Sequence, residues 1–172
     1  MIHKIIKKQN NSDMCFVCGI HNDAGLNIKY YELDNKHLIG VFKGTDVHQS
    51  YPQRMHGGIT SALLDETIGR AVQILNTEIW GVTVELQVKF LKPVPLDQQL
   101  YVVGYITNLR NRLFEGEGYI CDTNKNILAT AKGKYFIKHV DQIVDDIDFV
   151  REQWIYVEDD INSTVKSFDL PL

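Results

Sequence analysis

Two stretches of the chain combine residue types that could do chemistry. The first is His56-Gly57-Gly58, followed nine residues after the histidine by Asp65, in a run that reads as one helix from about His56 to Asn76. Glycine costs about 1 kcal/mol in a helix interior relative to alanine, so a glycine pair needs a reason. In the first turn it costs less and lets another group approach the backbone. The N–H groups there have no intrahelical acceptor and stand at the positive end of the helix dipole. An oxygen gaining negative charge in a reaction would be stabilised by them, and one such donor is worth about 10²–10³ in rate. At about 100° per residue, Leu64, Ile68, Ala71 and Leu75 share one side of this helix, widened by Ile59, Leu63 and Ile74. Glu66, Gly69, Arg70 and Gln73 form the polar sector, and Glu66 reads as a surface residue. Asp65 lies at the border, near Ser61 and Val72. A partly desolvated carboxylate at such a border reaches a cleft and serves as a base. The plain alternative is a solvated helix acid, because acids are mostly exposed. His56 either caps the helix or positions an acyl group.

The second stretch is Cys15-Phe16-Val17-Cys18-Gly19-Ile20-His21. Cys15, Cys18 and His21 could be half a zinc site. A closed structural site needs four ligands, usually as two paired clusters, and no second cluster follows. Cys121 stands alone in a strand-like segment. Three cysteines without an export signal read as free thiols, so the expectation is a chain without a metal, in the cytoplasm.

The elements that must position these residues follow from pattern. The chain of 172 residues is 44% hydrophobic and 23% charged, enough for one folded domain with a real core. No apolar run is long enough to span a membrane. The leader, residues 1–14, is polar and reads as a short helix or loose chain. Leu26–Leu33 and Lys36–Gly44 read as two strands around Asp34-Asn35. After the helix, Trp80–Pro95 alternates, with Val82, Val84, Leu86, Val88 and Phe90 on one face. Three more strands follow, and Gly104, Gly116, Gly118 and Gly133 inside them suggest bulges or curvature. Two strands, a helix and four strands do not alternate as βαβ units. The expected fold class is α+β: a curled antiparallel sheet of five to six strands wrapped around one long helix. Residues 1–139 carry 16 basic and 13 acidic residues, a net of +3; residues 140–172 carry 2 basic and 9 acidic residues, a net of −7. Val140–Val157 reads as an amphipathic helix, followed by a loose acidic end. A body this mildly basic suits a small phosphorylated ligand and lacks the dense basic stripe of a nucleic-acid binder.

His-Gly-Gly with Asp65 resembles the signature of hotdog-fold acyl-CoA thioesterases, in the PaaI-like (phenylacetyl-CoA) branch of the 4-hydroxybenzoyl-CoA thioesterase superfamily. The resemblance extends to the entry from Cys15 to Glu32, to Val82–Pro95, and to Leu128–Ile137, in the expected order. It implies hydrolysis of acyl-CoA thioesters, with coenzyme A as part of the substrate and no other cofactor. Gly57 would polarise the carbonyl, and Asp65 would be general base or nucleophile, reaching the substrate from the other subunit of a homodimer that can pair into a tetramer. An open sheet edge would also be covered by such pairing. Thr83 is similar to a position that helps hold the water. Gly58 would join Gly57 at the substrate, and Arg110, Arg112, Lys132 and Lys134 are the basic residues for the CoA phosphates. Two positions depart from the family: Ser50 replaces an asparagine that contacts the thioester, with Gln49 or His48 as a substitute, and Gln53 stands where glycine is common. The rival reading is a non-catalytic acyl-CoA binder on the same fold.

Overall fold

In a computed structural model, residues 1–146, 148, 152–155 and 166–171 are described. The helix forms where expected. Strand β1 is Ile2–Lys8, β2 Asn11–Ser12, β3 Lys29–Leu33 and β4 Leu38–Lys43; helix α1 is Gly57–Arg70, extended by a 3-10 turn over Ala71–Ile74. Then come β5 (Ile79–Phe90), β6 (Gln99–Leu109), β7 (Leu113–Asp122), β8 (Ile127–His139), β9 (Trp154–Ile155) and β10 (Ser167–Asp169). Eight of these make one antiparallel sheet in the order β10-β1-β3-β4-β6-β7-β8-β5. The six strands read from the sequence are its centre and one edge. No described helix is long and apolar enough to cross a membrane.

Both chain ends depart from expectation. The polar leader is strand β1, which pairs with β3 and β10. Its alternation was masked by lysines, whose aliphatic stems pack while their charged ends reach water. The C-terminal end is not loose. Phe168 and Leu170 are buried in a second apolar cluster with Tyr31, Ile39, Val103 and Tyr119, away from the helix. Of the helix expected over Val140–Val157, Asp148, Glu152 and Gln153 are helical, whereas Val140–Gln142 is a 3-10 turn and Trp154–Ile155 a strand paired with Asn11–Ser12. Residues 147, 149–151 and 156–157 of that span lie outside the described residues.

Helix α1 lies on the sheet through Leu63, Leu64, Ile68, Ala71 and Val72, all buried with Tyr30, Leu38, Leu100, Val102 and Phe114. Leu75, expected on the same side, is past the helix and 52% exposed. The strand glycines explain how close the helix comes. A Cβ on Gly104 would stand 2.8 Å from the Thr67 carbonyl oxygen and 3.0 Å from the Ile68 nitrogen. One on Gly116 would stand 2.5 Å from Ile68 Cγ2. These glycines therefore make room for the helix, beyond any role in curvature. Strand β5 is the uncovered edge. A bulge between Thr83 and Glu85 breaks its alternation, so Val82 and Val84 are exposed while Leu86 and Val88 pack against the core.

Gly104→Ala is expected to destabilise the chain by about 1–3 kcal/mol, because helix backbone rather than a flexible side chain must yield. Urea unfolding checks this; an unchanged midpoint would mean the helix has slack over β6.

Candidate functional site

The start of α1 is built by a loop that leaves β4 and returns to the helix. Gln53 sits there at φ 63°, the left-handed region where glycine is at ease, which accounts for a position usually held by glycine. Gln49 Oε1 accepts the Gln53 N–H at 2.9 Å, and the Ser50 N–H donates to the Arg54 carbonyl. Both side chains are exposed near the helix start. His48 is buried and holds the loop: its Nδ1 accepts the Thr45 N–H, and Nε2 lies 3.1 Å from the Ala24 carbonyl. It is a structural residue.

His56 is the N-cap. Its Nδ1 accepts the Gly58 N–H at 2.9 Å, which settles its capping role and occupies the Gly58 donor. The Gly57 N–H, at the first helical position, has no intrahelical acceptor. A Cβ at Gly57 would meet only the Phe90 ring, at 3.5 Å.

Asp65 stands on the third turn, half-buried. Its Oδ1 accepts the Thr83 hydroxyl at 2.9 Å and the Tyr135 hydroxyl at 3.2 Å. Thr83 and Tyr135 are directly paired across β5 and β8, so one rung of the sheet supplies both donors. Burial pushes the Tyr135 phenol up, and the adjacent Asp65 charge adds to that, so the hydroxyl keeps its proton and remains a donor. Sequence reading found Thr83 but not Tyr135, because nothing in a strand's alternation says that an inward tyrosine ends at a carboxylate. Gly57 and Asp65 are eight residues apart, about 12 Å along the axis and about 80° around it.

Asp65 and Thr83 line a cavity of about 290 Å³ that also takes in Trp80, Trp154, Cys15, Cys18, Glu66 and Arg70. The last four revise the sequence reading. The polar sector of α1 faces inward: Gly69, Arg70 and Gln73 are buried and Glu66 is half-buried, because Gln9, Asn10, the Cys15 loop and Trp154 cover Arg70 and Glu66 while Gly69 packs against Tyr135 and Gly81. The Arg70 guanidinium lies over Tyr30 at 4.6 Å and Trp154 at 4.5 Å. It donates to Gln9 Oε1 (2.9 Å), Glu66 Oε1 (3.1 Å) and the Asn10 carbonyl. His21 is not with the cysteines; it is exposed and bonded to Asp13.

The basic residues do not join this cavity. Arg110 and Arg112 are exposed in the β6–β7 turn. Lys132 pairs with Glu117 at 2.6 Å and Lys134 with Glu85 at 3.0 Å, on the solvent face of the sheet.

The model of the thioesterase superfamily matches residues 53–128, the segment that contains α1 and most of the sheet centre. Solved thioesterases share the surrounding hotdog fold. A thioesterase superfamily protein superposes with TM-score 0.59 at 23% identity over 63% of this chain, which spans only 53% of that protein's length. A hypothetical thioesterase from Streptococcus pneumoniae, solved with coenzyme A, gives 0.55 at 21% over 60% of this chain and 82% of its own. The Escherichia coli PaaI protein of the phenylacetic acid degradation operon gives 0.58 at 18% over 64% and 79%. No curated protein matches.

Arg70→Met should cost about 3–5 kcal/mol in urea unfolding, since it leaves the buried Gln9 and half-buried Glu66 without their partner. A cost under about 1 kcal/mol would show that water replaces the guanidinium at no penalty.

Proposed function

We propose that this chain hydrolyses acyl-CoA thioesters, as a cytoplasmic PaaI-like thioesterase working as a homodimer or tetramer. The observation that carries the reading is Asp65, held on a cavity wall by two hydroxyl donors, on the same helix that begins with the Gly57 N–H. The superfamily match over this segment and the coenzyme A held by the pneumococcal relative support the substrate class. Free thiols at Cys15, Cys18 and Cys121 suit a reducing compartment.

In this mechanism the Gly57 N–H donates to the thioester carbonyl oxygen. Charge growing on that oxygen is met by a fixed donor at the positive end of α1. Asp65 either takes a proton from the attacking water or attacks the carbonyl carbon itself. The carbon–sulfur bond then breaks and CoA leaves as the thiolate; where Asp65 has attacked, water then cleaves the acyl–Asp65 anhydride, releasing the acid and restoring the carboxylate. Thr83 and Tyr135 hold the carboxylate in one orientation, which saves the entropy of placing it. No redox cofactor is required, and coenzyme A enters only with the substrate. Gln49 and Ser50, on the loop beside Gly57, are placed to meet the acyl side. Arg110 and Arg112 are the better candidates for the CoA phosphates, since Lys132 and Lys134 already carry carboxylate partners.

Reacting atoms must come within about 3–3.5 Å of each other. The separation of Gly57 and Asp65 along one helix therefore favours a carbonyl held by one copy and attacked with the Asp65 of a second. The open β5 edge, with Val82 and Val84 exposed, supports pairing of two copies.

Thiol release from a panel of aryl, short and long acyl-CoAs tests the reading. Asp65→Asn is expected to lose at least about 10²-fold in kcat/KM. Gly57→Pro is expected to lose about 10²–10³-fold: proline is tolerated at the first helical position, His56 already has the extended backbone that precedes proline, and only the N–H is removed. Mixing the two inactive variants under subunit exchange should restore about a quarter of the wild-type rate, because half the dimers would carry one intact composite site. No restoration would place both groups in one chain. A wild type inactive on every thioester that still binds CoA would make the chain an acyl-CoA binder.

A further inference from the structure

The cysteine pair remains outside that mechanism, and its surroundings are organised. The Cys15 thiol donates to Glu66 Oε2 at 3.0 Å. The Val17 N–H points at Cys15 Sγ at 3.3 Å. The Gly19 N–H closes the turn on the Cys15 carbonyl at 2.7 Å. A Cβ at Gly19 would lie 2.3 Å from that oxygen, so no other residue fits this turn. Backbone N–H groups aimed at a cysteine sulfur favour its thiolate, the form that binds metal.

We propose that Cys15, Cys18 and Glu66 form a binding site for a divalent thiophilic cation of the zinc class, with its fourth position open to the cavity that Asp65 lines. The two sulfurs and a Glu66 oxygen already lie within 4.8 Å of one another. Tetrahedral zinc with Zn–S of about 2.3 Å needs sulfurs about 3.8 Å apart, so small side-chain rotations close the site. Two thiolates select against magnesium and calcium, and the carboxylate suits zinc as a borderline ion. All three ligands line the cavity, which leaves room for a water or a ligand atom at the fourth position. Charge supports the assignment. Two thiolates, one carboxylate and a divalent cation sum to −1, and the buried Arg70, on Glu66 Oε1, makes the group neutral. Arg70 takes Oε1 and leaves Oε2, which the Cys15 proton now occupies, for the metal. Binding releases the two thiol protons to solvent. His21, the third ligand that spacing suggests, is replaced by Glu66, which the fold brings from α1.

The test uses the full chain, kept reduced by a phosphine, stripped with a chelator and titrated with Co²⁺ alone, then Zn²⁺ alone. The expected result is one Co²⁺ per chain, with thiolate-to-cobalt charge transfer and the intense visible bands of a tetrahedral site, displaced by one equivalent of Zn²⁺. Zn²⁺ should also protect two thiols from alkylation. Glu66→Gln should weaken Zn²⁺ at least about tenfold while keeping the thiolate band, and His21→Ala should leave the affinity unchanged. Reduced wild type that takes up no Co²⁺, or shows no thiolate band, overturns the proposal. So does full affinity in Glu66→Gln or in Cys15→Ser/Cys18→Ser. None of these readouts involves hydrolysis, so they stand apart from the thioesterase reading.

Discussion

The site depends on how closely α1 lies on the sheet. Gly104 and Gly116 let the helix backbone come down until Thr67 and Ile68 rest against strand backbone. That contact sets the height and rotation of the helix. It thereby sets where Asp65 meets Thr83 and Tyr135. A carboxylate placed this way is held by two elements rather than by its own rotamer preference. A fixed carboxylate needs little reorganisation when charge moves, which is the physical basis for placing it at a reaction centre.

The second anchor is Arg70. A buried guanidinium is costly unless its donors are used and its faces are covered. Here Gln9, Asn10 and Glu66 use the donors, and Tyr30 and Trp154 cover the faces. One side chain thus ties β1's end, the second face of α1 and the β9 segment together. This interaction also turns Glu66 toward Cys15. The thiol pair, the arginine and Asp65 consequently share one cavity, though they come from a loop and a helix far apart in the chain.

The first N–H of α1 and its Asp65 carboxylate lie on different turns of one helix. In the proposed mechanism, pairing two copies would bring them to one substrate, so that dimer formation and site assembly would be one event.

Several features were legible in the residues. The glycine pair before a helical run marked an open helix start, because only a helix N-terminus leaves N–H groups free. The period of apolar residues marked α1, and strand patterning marked six strands, the sheet centre and its β5 edge. The family resemblance singled out Asp65 and Thr83, which are in fact hydrogen-bonded. What the tertiary structure alone decided is which sides of these elements are covered. The sector holding Glu66, Gly69, Arg70 and Gln73 reads as solvated by composition, yet Gln9, Asn10, the Cys15 loop and Trp154 cover its charged residues from segments far away in the chain. Tyr135 reaches Asp65, and Glu66 reaches Cys15, across 70 and 51 residues of chain. Local pattern reports the period of an element, whereas the partner of each face is set by packing between elements far apart in sequence, and that is where the site is made.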